Sequence, residues 1–115
     1  MSRLILVIED DESIREFVST FLRDEGFEVA LAENGAAGLK IAQQCNPSLT
    51  FVDVLMPVMD GKSFVEAYRK LPVPHNPVIG MSANTYNTSL LSIFDGFLNK
   101  PFNLEDMLAC IRQYF

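Results

Sequence analysis

Apolar and polar positions fall along this chain in two kinds of block: short unbroken apolar runs, and longer stretches in which apolar residues return every three or four positions. Leu4 to Ile8 is the first run, and its lack of any polar residue suits a strand covered on both faces. Ile14, Phe17, Val18, Phe21 and Leu22 follow at helical spacing, with Ser13 and Glu16 placed as a capping box and Gly26 as the stop. A second strand is predicted over Glu28 to Ala32. Gly38, Ile41, Ala42 and Cys45 form the stripe of a second helix, closed before Pro47, and Leu49 to Val52 is the third strand. After a loop from Asp53 to Lys62, a third helix opens on Ser63 and Glu66, again spaced as a capping box, and stops near Leu71. Pro72 to Pro77 is turn-rich, and Val78 to Met81 is the fourth strand.

The stretch from Ser82 to Asp95 carries a weaker pattern. Asn84, Thr85, Asn87 and Thr88 disfavour helix, and only Leu90, Leu91, Ile93 and Phe94 mark a short, weak one. Gly96 to Leu98 is a brief fifth strand, and Leu104, Met107, Leu108 and Ile111 define one face of a last helix. Five strands thus alternate with five helices. That order predicts an α/β fold, a parallel sheet wound on both faces through right-handed crossovers. In such sheets ligands bind beyond the carboxyl ends of the strands, so the residues that end each run carry the functional question.

Composition narrows the classes. The 115 residues suit one domain spanning positions 1–115, with no output domain expected, and 49% hydrophobic with 21% charged residues describes a chain able to bury a core. Nine Lys and Arg against fifteen Asp and Glu leave a net charge of −6, the wrong sign for collecting nucleic acid or anionic lipid. Only five apolar residues, Leu4 to Ile8, follow Met1-Ser2-Arg3, so neither a signal peptide nor a membrane span is expected, and the predicted location is cytoplasmic. Cys45 and Cys110 lie in helical patterns without a paired-Cys motif and are expected to be reduced core thiols.

At the strand ends stand Glu9, Asp10 and Asp11, then Asp53, Ser82 and Lys100. Each alone is what a wet loop supplies. Together they place at least three carboxylates in one cleft, where mutual repulsion raises their pKa values unless a hard divalent cation joins them. Oxygen-only donors favour Mg²⁺ or Mn²⁺ over zinc, and Lys100 with the Ser82 hydroxyl is placed to meet the oxygens of a phosphoryl group. A carboxylate is a competent nucleophile toward phosphorus once metal and lysine neutralise the incoming charge.

Val7-Ile8-Glu9-Asp10-Asp11, the run Val52-Asp53-Val54-Leu55-Met56-Pro57-Val58-Met59-Asp60-Gly61, Met81-Ser82-Ala83 and Lys100-Pro101-Phe102 resemble, in this order, the motifs of bacterial response-regulator receiver domains of the chemotaxis-regulator kind. The resemblance covers nearly the whole chain and implies a flavodoxin-like (βα)5 fold with strand order 2-1-3-4-5. It implies a two-component or phosphorelay switch, not a turnover enzyme, in which Asp53 accepts a phosphoryl group with Mg²⁺. Glu9 and Asp10 become the acidic pair, with Asp11 outside it, and the Leu55 backbone carbonyl a further metal ligand. Lys100 becomes the partner of Asp53 and then of the phosphoryl group, Ser82 the hydroxyl that follows phosphorylation, and Phe97 the aromatic that changes rotamer, where the residues alone allow ordinary core. Leu55 and Asn84 match positions that tune dephosphorylation, and Lys100-Pro101 matches a cis bond. The implied partners are a histidine kinase or histidine phosphotransfer protein and a downstream effector protein. Between Ser82 and Lys100 the chain is shorter than the family pattern by roughly one helical turn, which shortens the fourth helix.

His75, the only histidine, lies in a proline-rich connector and reads as a solvated loop residue before a phosphocarrier. Met56 and Met59 read as loop anchors. A flavin-binding flavodoxin would want a Ser/Thr/Gly-rich loop where Glu9-Asp10-Asp11 stands, and no glycine-rich nucleotide motif follows any strand. The stronger rival is a pseudo-receiver, a protein-binding module that keeps the fold without phosphotransfer.

Overall fold

The computed structural model describes residues 3–56, 58–83 and 92–115. Its strands are β1 (Leu4–Ile8), β2 (Glu28–Ala32), β3 (Leu49–Asp53), β4 (Val78–Ser82) and β5 (Gly96–Asn99). All pair in parallel, as the residue pattern predicts, and in the order β2-β1-β3-β4-β5, as the family resemblance implies. Four helices lie among the described residues: α1 (Glu12–Asp24), α2 (Gly35–Cys45), α3 (Gly61–Tyr68) and α4 (Leu104–Tyr114). Most of the predicted fourth helix, including Asn84, Leu90 and Leu91, falls outside the described residues. Its remaining anchors, Ile93 and Phe94, lie in a turn and bend leading into β5.

Alternation along the strands divides the core into two layers. Ile5, Val7, Leu49, Phe51, Ile79, Met81 and Leu98 face α1 and α4, meeting Val18, Leu22, Met107 and Ile111. Leu6, Ile8, Val52 and Val78 face the other way, onto Ala42 of α2, Phe64, Val65 and Tyr68 of α3, and Phe94. Burying each large apolar side chain contributes roughly 1.5–3 kcal/mol, so the unbroken apolar strands are what a sheet covered on both faces requires.

The helix starts differ from the capping boxes read in the sequence. Asp11 caps α1, accepting from the Ile14 amide, and Asp60 caps α3, accepting from the Ser63 amide, so Ser13 and Ser63 lie inside their helices. An Asp immediately before the helix outcompetes a Ser two or three places later, because its carboxylate reaches the first-turn amides and complements the helix dipole. A true capping box opens α4, from Asn103 and Asp106. Gly26, at φ +95°, closes α1 as expected.

Two burial expectations fail. Cys45 is exposed at the last position of α2, and Cys110 is only half-buried, so Cys45 is not a core thiol. The α2 stripe instead buries Gly38 and Ala42, whose small size lets the helix approach β1. Phe17 stands 63% exposed on α1, outside the stripe its spacing suggested.

Candidate functional site

The apolar strands deliver their polar ends to one rim of the sheet. Glu9 directly follows β1, and its amide is held by the Ala32 carbonyl of β2 at 3.0 Å. Asp53 is the last residue of β3, in register with Met81, and Ser82 is the last of β4. Both strands run one residue further than predicted, so the nucleophile candidate is fixed by the sheet and not carried by a loop. The Val54 amide donates to the Met81 carbonyl at 2.9 Å and the Lys100 amide to the Ser82 carbonyl at 2.9 Å, which extends the pairing past the strand ends.

Glu9, Asp10 and Asp53 each bring a carboxylate oxygen within 4.8 Å of the others. Glu9 is fully buried, Asp53 nearly so, and Asp10 is exposed at the mouth. Lys100 bridges two of them, donating from Nζ to Glu9 Oε1 and, at 2.9 Å, to Asp53 Oδ2. Burial pushes the Glu9 carboxyl up to about 7; Lys100 opposes that rise, and Asp10 and Asp53 add to it. Burial lowers the affinity of Lys100 for its proton, but its bonds to Glu9 and Asp53 outweigh this and leave its pKa raised. Three hard oxygen donors open to solvent on one side fit Mg²⁺, which keeps several waters and takes one or two carboxylates.

Most of the residues singled out from the sequence meet at this rim. Leu55 is 71% exposed beside Asp53, and its amide donates to Asp53 Oδ1 at 3.2 Å. Ser82 is buried at the end of β4. The Lys100-Pro101 peptide is cis. Asp11 is the α1 cap and stands outside the carboxylate trio, as expected. Phe97 lies further along β5, half-buried and edge-on to Phe94, with ring centroids 6.3 Å apart. Asn84 lies outside the described residues. His75 is exposed in its connector, its Nε2 3.1 Å from the Leu71 carbonyl oxygen. Met56 and Met59 pack against the α2–α3 side of the core, while Val58 between them is 82% exposed at φ +72°.

Sequence reasoning missed Arg15. Its Nη1 reaches back from α1 to the main-chain oxygens of Glu9, at 2.7 Å, and Asp10, at 3.1 Å. The only signal was an arginine one turn into the helix that follows the acidic residues.

The response regulator receiver domain family model matches residues 5–112. The chain belongs to this family. This receiver domain is 33% identical to Response regulator Rre1 of Synechocystis sp. over 119 residues, covering 95% of this chain and 50% of that protein. The chain spans about half the length of several curated relatives, 56% in the case of a probable transcriptional regulator. Chemotaxis protein CheY4 of Vibrio cholerae superposes with a TM-score of 0.87 at 30% identity over the full length of both chains. Response regulator TrrA of Thermotoga maritima, solved in complex with Mg(2+)-BeF, also gives 0.87, at 28% identity and full coverage of both. The receiver domain is a signalling module of two-component systems, and its acidic trio resembles the phosphorylation site of the family.

Proposed function

We propose that Asp53 is the phosphoacceptor of this receiver domain and that Glu9, Asp10 and Asp53, with the Leu55 carbonyl, hold the Mg²⁺ that phosphorylation needs; Mn²⁺ suits the same donors. The observation that carries the reading is the bridge from Lys100 to both Asp53 and Glu9, inside a carboxylate trio. A carboxylate oxygen of Asp53 attacks phosphorus, the bond from phosphorus to a donor's histidine nitrogen breaks, and the electron pair returns to the imidazole. When bound, Mg²⁺ neutralises charge on the phosphoryl oxygens. Lys100 exchanges its contact with Asp53 for one with the new phosphoryl group, the Ser82 hydroxyl moves toward that group, and Phe97 changes rotamer. Leu55, exposed over Asp53, screens the acyl phosphate from water, and Asn84 shares that rate-tuning role.

The donor in this reading is a histidine kinase or histidine phosphotransfer protein, and the reader of the switch is a downstream protein. The net charge of −6 supports protein over nucleic acid as what this domain itself contacts. A cytoplasmic location belongs to the same reading. Incubation with acetyl phosphate and Mg²⁺ tests it: an acid-stable, base-labile label is expected on the wild type and none on Asp53→Asn. An unlabelled wild type that still binds Mg²⁺ would overturn phosphotransfer and favour the pseudo-receiver.

A further inference from the structure

We infer that Arg15 is a positioning residue for the metal-binding loop, clamping the Glu9 and Asp10 peptides so that their carboxylates are held in place before any cation arrives; this rests on the metal reading above. Arg15 sits in the first turns of α1, its own amide bonded to the Asp11 carbonyl at 3.0 Å. Its guanidinium turns back toward the strand end, where a single nitrogen donates to the oxygens of Glu9 and Asp10.

The remaining contacts show how little freedom that leaves. The Glu9 amide is on Ala32 of β2 at 3.0 Å, and the Asp11 amide is 3.3 Å from Glu9 Oε2. Without Arg15, the two carbonyls between those amides lose their donor among the described residues, and the peptides that set the Cβ directions of Glu9 and Asp10 are held only by the flanking amides. Among the described residues, the side-chain hydrogen bonds of Arg15 go to main-chain oxygens and not to carboxylates. The cation thus serves geometry, and Arg15 itself takes up none of the carboxylate oxygens of the trio. Outer-shell groups that orient metal ligands change affinity by about 10–100-fold when removed.

The test is calorimetric titration of Mg²⁺ into wild type, Arg15→Ala, Arg15→Lys and Asp10→Ala, paired with thermal midpoints and with hydrogen exchange at the Asp11 amide in chelator. Arg15→Ala is expected to bind Mg²⁺ about tenfold more weakly and to exchange Asp11 faster, with a melting midpoint close to wild type. Arg15→Lys, with the charge and a single donor group, should recover part of both. Unchanged affinity and exchange in Arg15→Ala would overturn the inference, as would tighter binding, which would make charge repulsion the dominant effect. If affinity fell only in proportion to a lowered midpoint, the role would be merely structural and the inference would fail. Should wild type and Asp10→Ala bind Mg²⁺ equally poorly while Arg15→Ala still accelerates Asp11 exchange, the metal reading fails and the clamp stands.

Discussion

Burial of Glu9 favours its protonated form in the metal-free fold, two neighbouring carboxylates add to this, and Lys100 opposes it without reversing it. Its folded-state value of about 7 lies above the ordinary 4.5, so the native domain keeps a proton that the unfolded chain releases on passing 4.5. The stabilising contribution is therefore complete below about pH 4.5 and is lost progressively as pH rises to 7. In chelator, the unfolding free energy from urea melts should fall by up to roughly 3 kcal/mol from pH 4.5 to 7, at 1.36 kcal/mol per pKa unit. Glu9→Gln, neutral throughout, should flatten most of that slope. A wild-type profile already flat over this range would mean that Lys100 holds Glu9 ionised. In the proposed metal reading Mg²⁺ would reverse the electrostatics by stabilising the ionised trio, and its addition should raise the midpoint more at pH 8 than at pH 5.

At the scale of elements, the site depends on how closely α3 approaches the end of β3. The Gly61 amide donates to the Val54 carbonyl at 3.1 Å, and a Cβ at Gly61 would lie 2.8 Å from the Asp53 carbonyl oxygen and 2.9 Å from the Val54 Cα. These are backbone atoms, so relief requires shifting either α3 or the residue that carries the proposed nucleophile. Gly61→Ala should destabilise the domain by about 1–3 kcal/mol in urea melts and weaken beryllofluoride binding more than a surface substitution on α3 such as Lys62→Ala. Equal effects would show that the contact does not set the site. The same elements mark what could be read in the sequence. Unbroken apolar runs are strong signals, and all five strands and the rim they build were legible, including Glu9, Asp10, Asp53, Ser82 and Lys100. The caps were not, because Asp11 and Asp60 resemble chemistry and loop in a one-dimensional reading, whereas Ser-x-x-Glu resembles a helix start. Arg15 escaped because its partners are main-chain oxygens, which no side-chain pattern reveals. Cys45 was misplaced because one residue at helical spacing says nothing about the helix end, where the stripe runs out into solvent.

Across the molecule, β5 is the strand through which the site meets the distal core. At one end, Lys100 holds Glu9 and Asp53. At the other, Asp95 accepts from the Val78 amide at 2.8 Å, and its carbonyl accepts from the Tyr114 hydroxyl of α4 at 2.7 Å. Arg69, just past α3, adds a bond to the Ile93 carbonyl at 2.9 Å. Its ion pair with Asp95 is exposed and contributes no more than about 1 kcal/mol. Between these ends Phe97 lies half-buried, edge-on to Phe94. In the proposed mechanism a phosphoryl group that takes over Lys100 would perturb one end of a strand whose other end is anchored, and the residues between would carry the change. Addition of Mg²⁺ and beryllofluoride should therefore shift the amide resonances of Phe94 to Asn99 far more than those of Glu28 to Ala32, on the opposite edge strand. In Lys100→Ala, a folded domain is expected in which beryllofluoride still perturbs Asp53 but the shifts along β5 largely vanish. Shifts along β5 that persist at wild-type size without the lysine would show that the signal leaves the site through the end of β4 and Ser82, bypassing β5 and its aromatic pair.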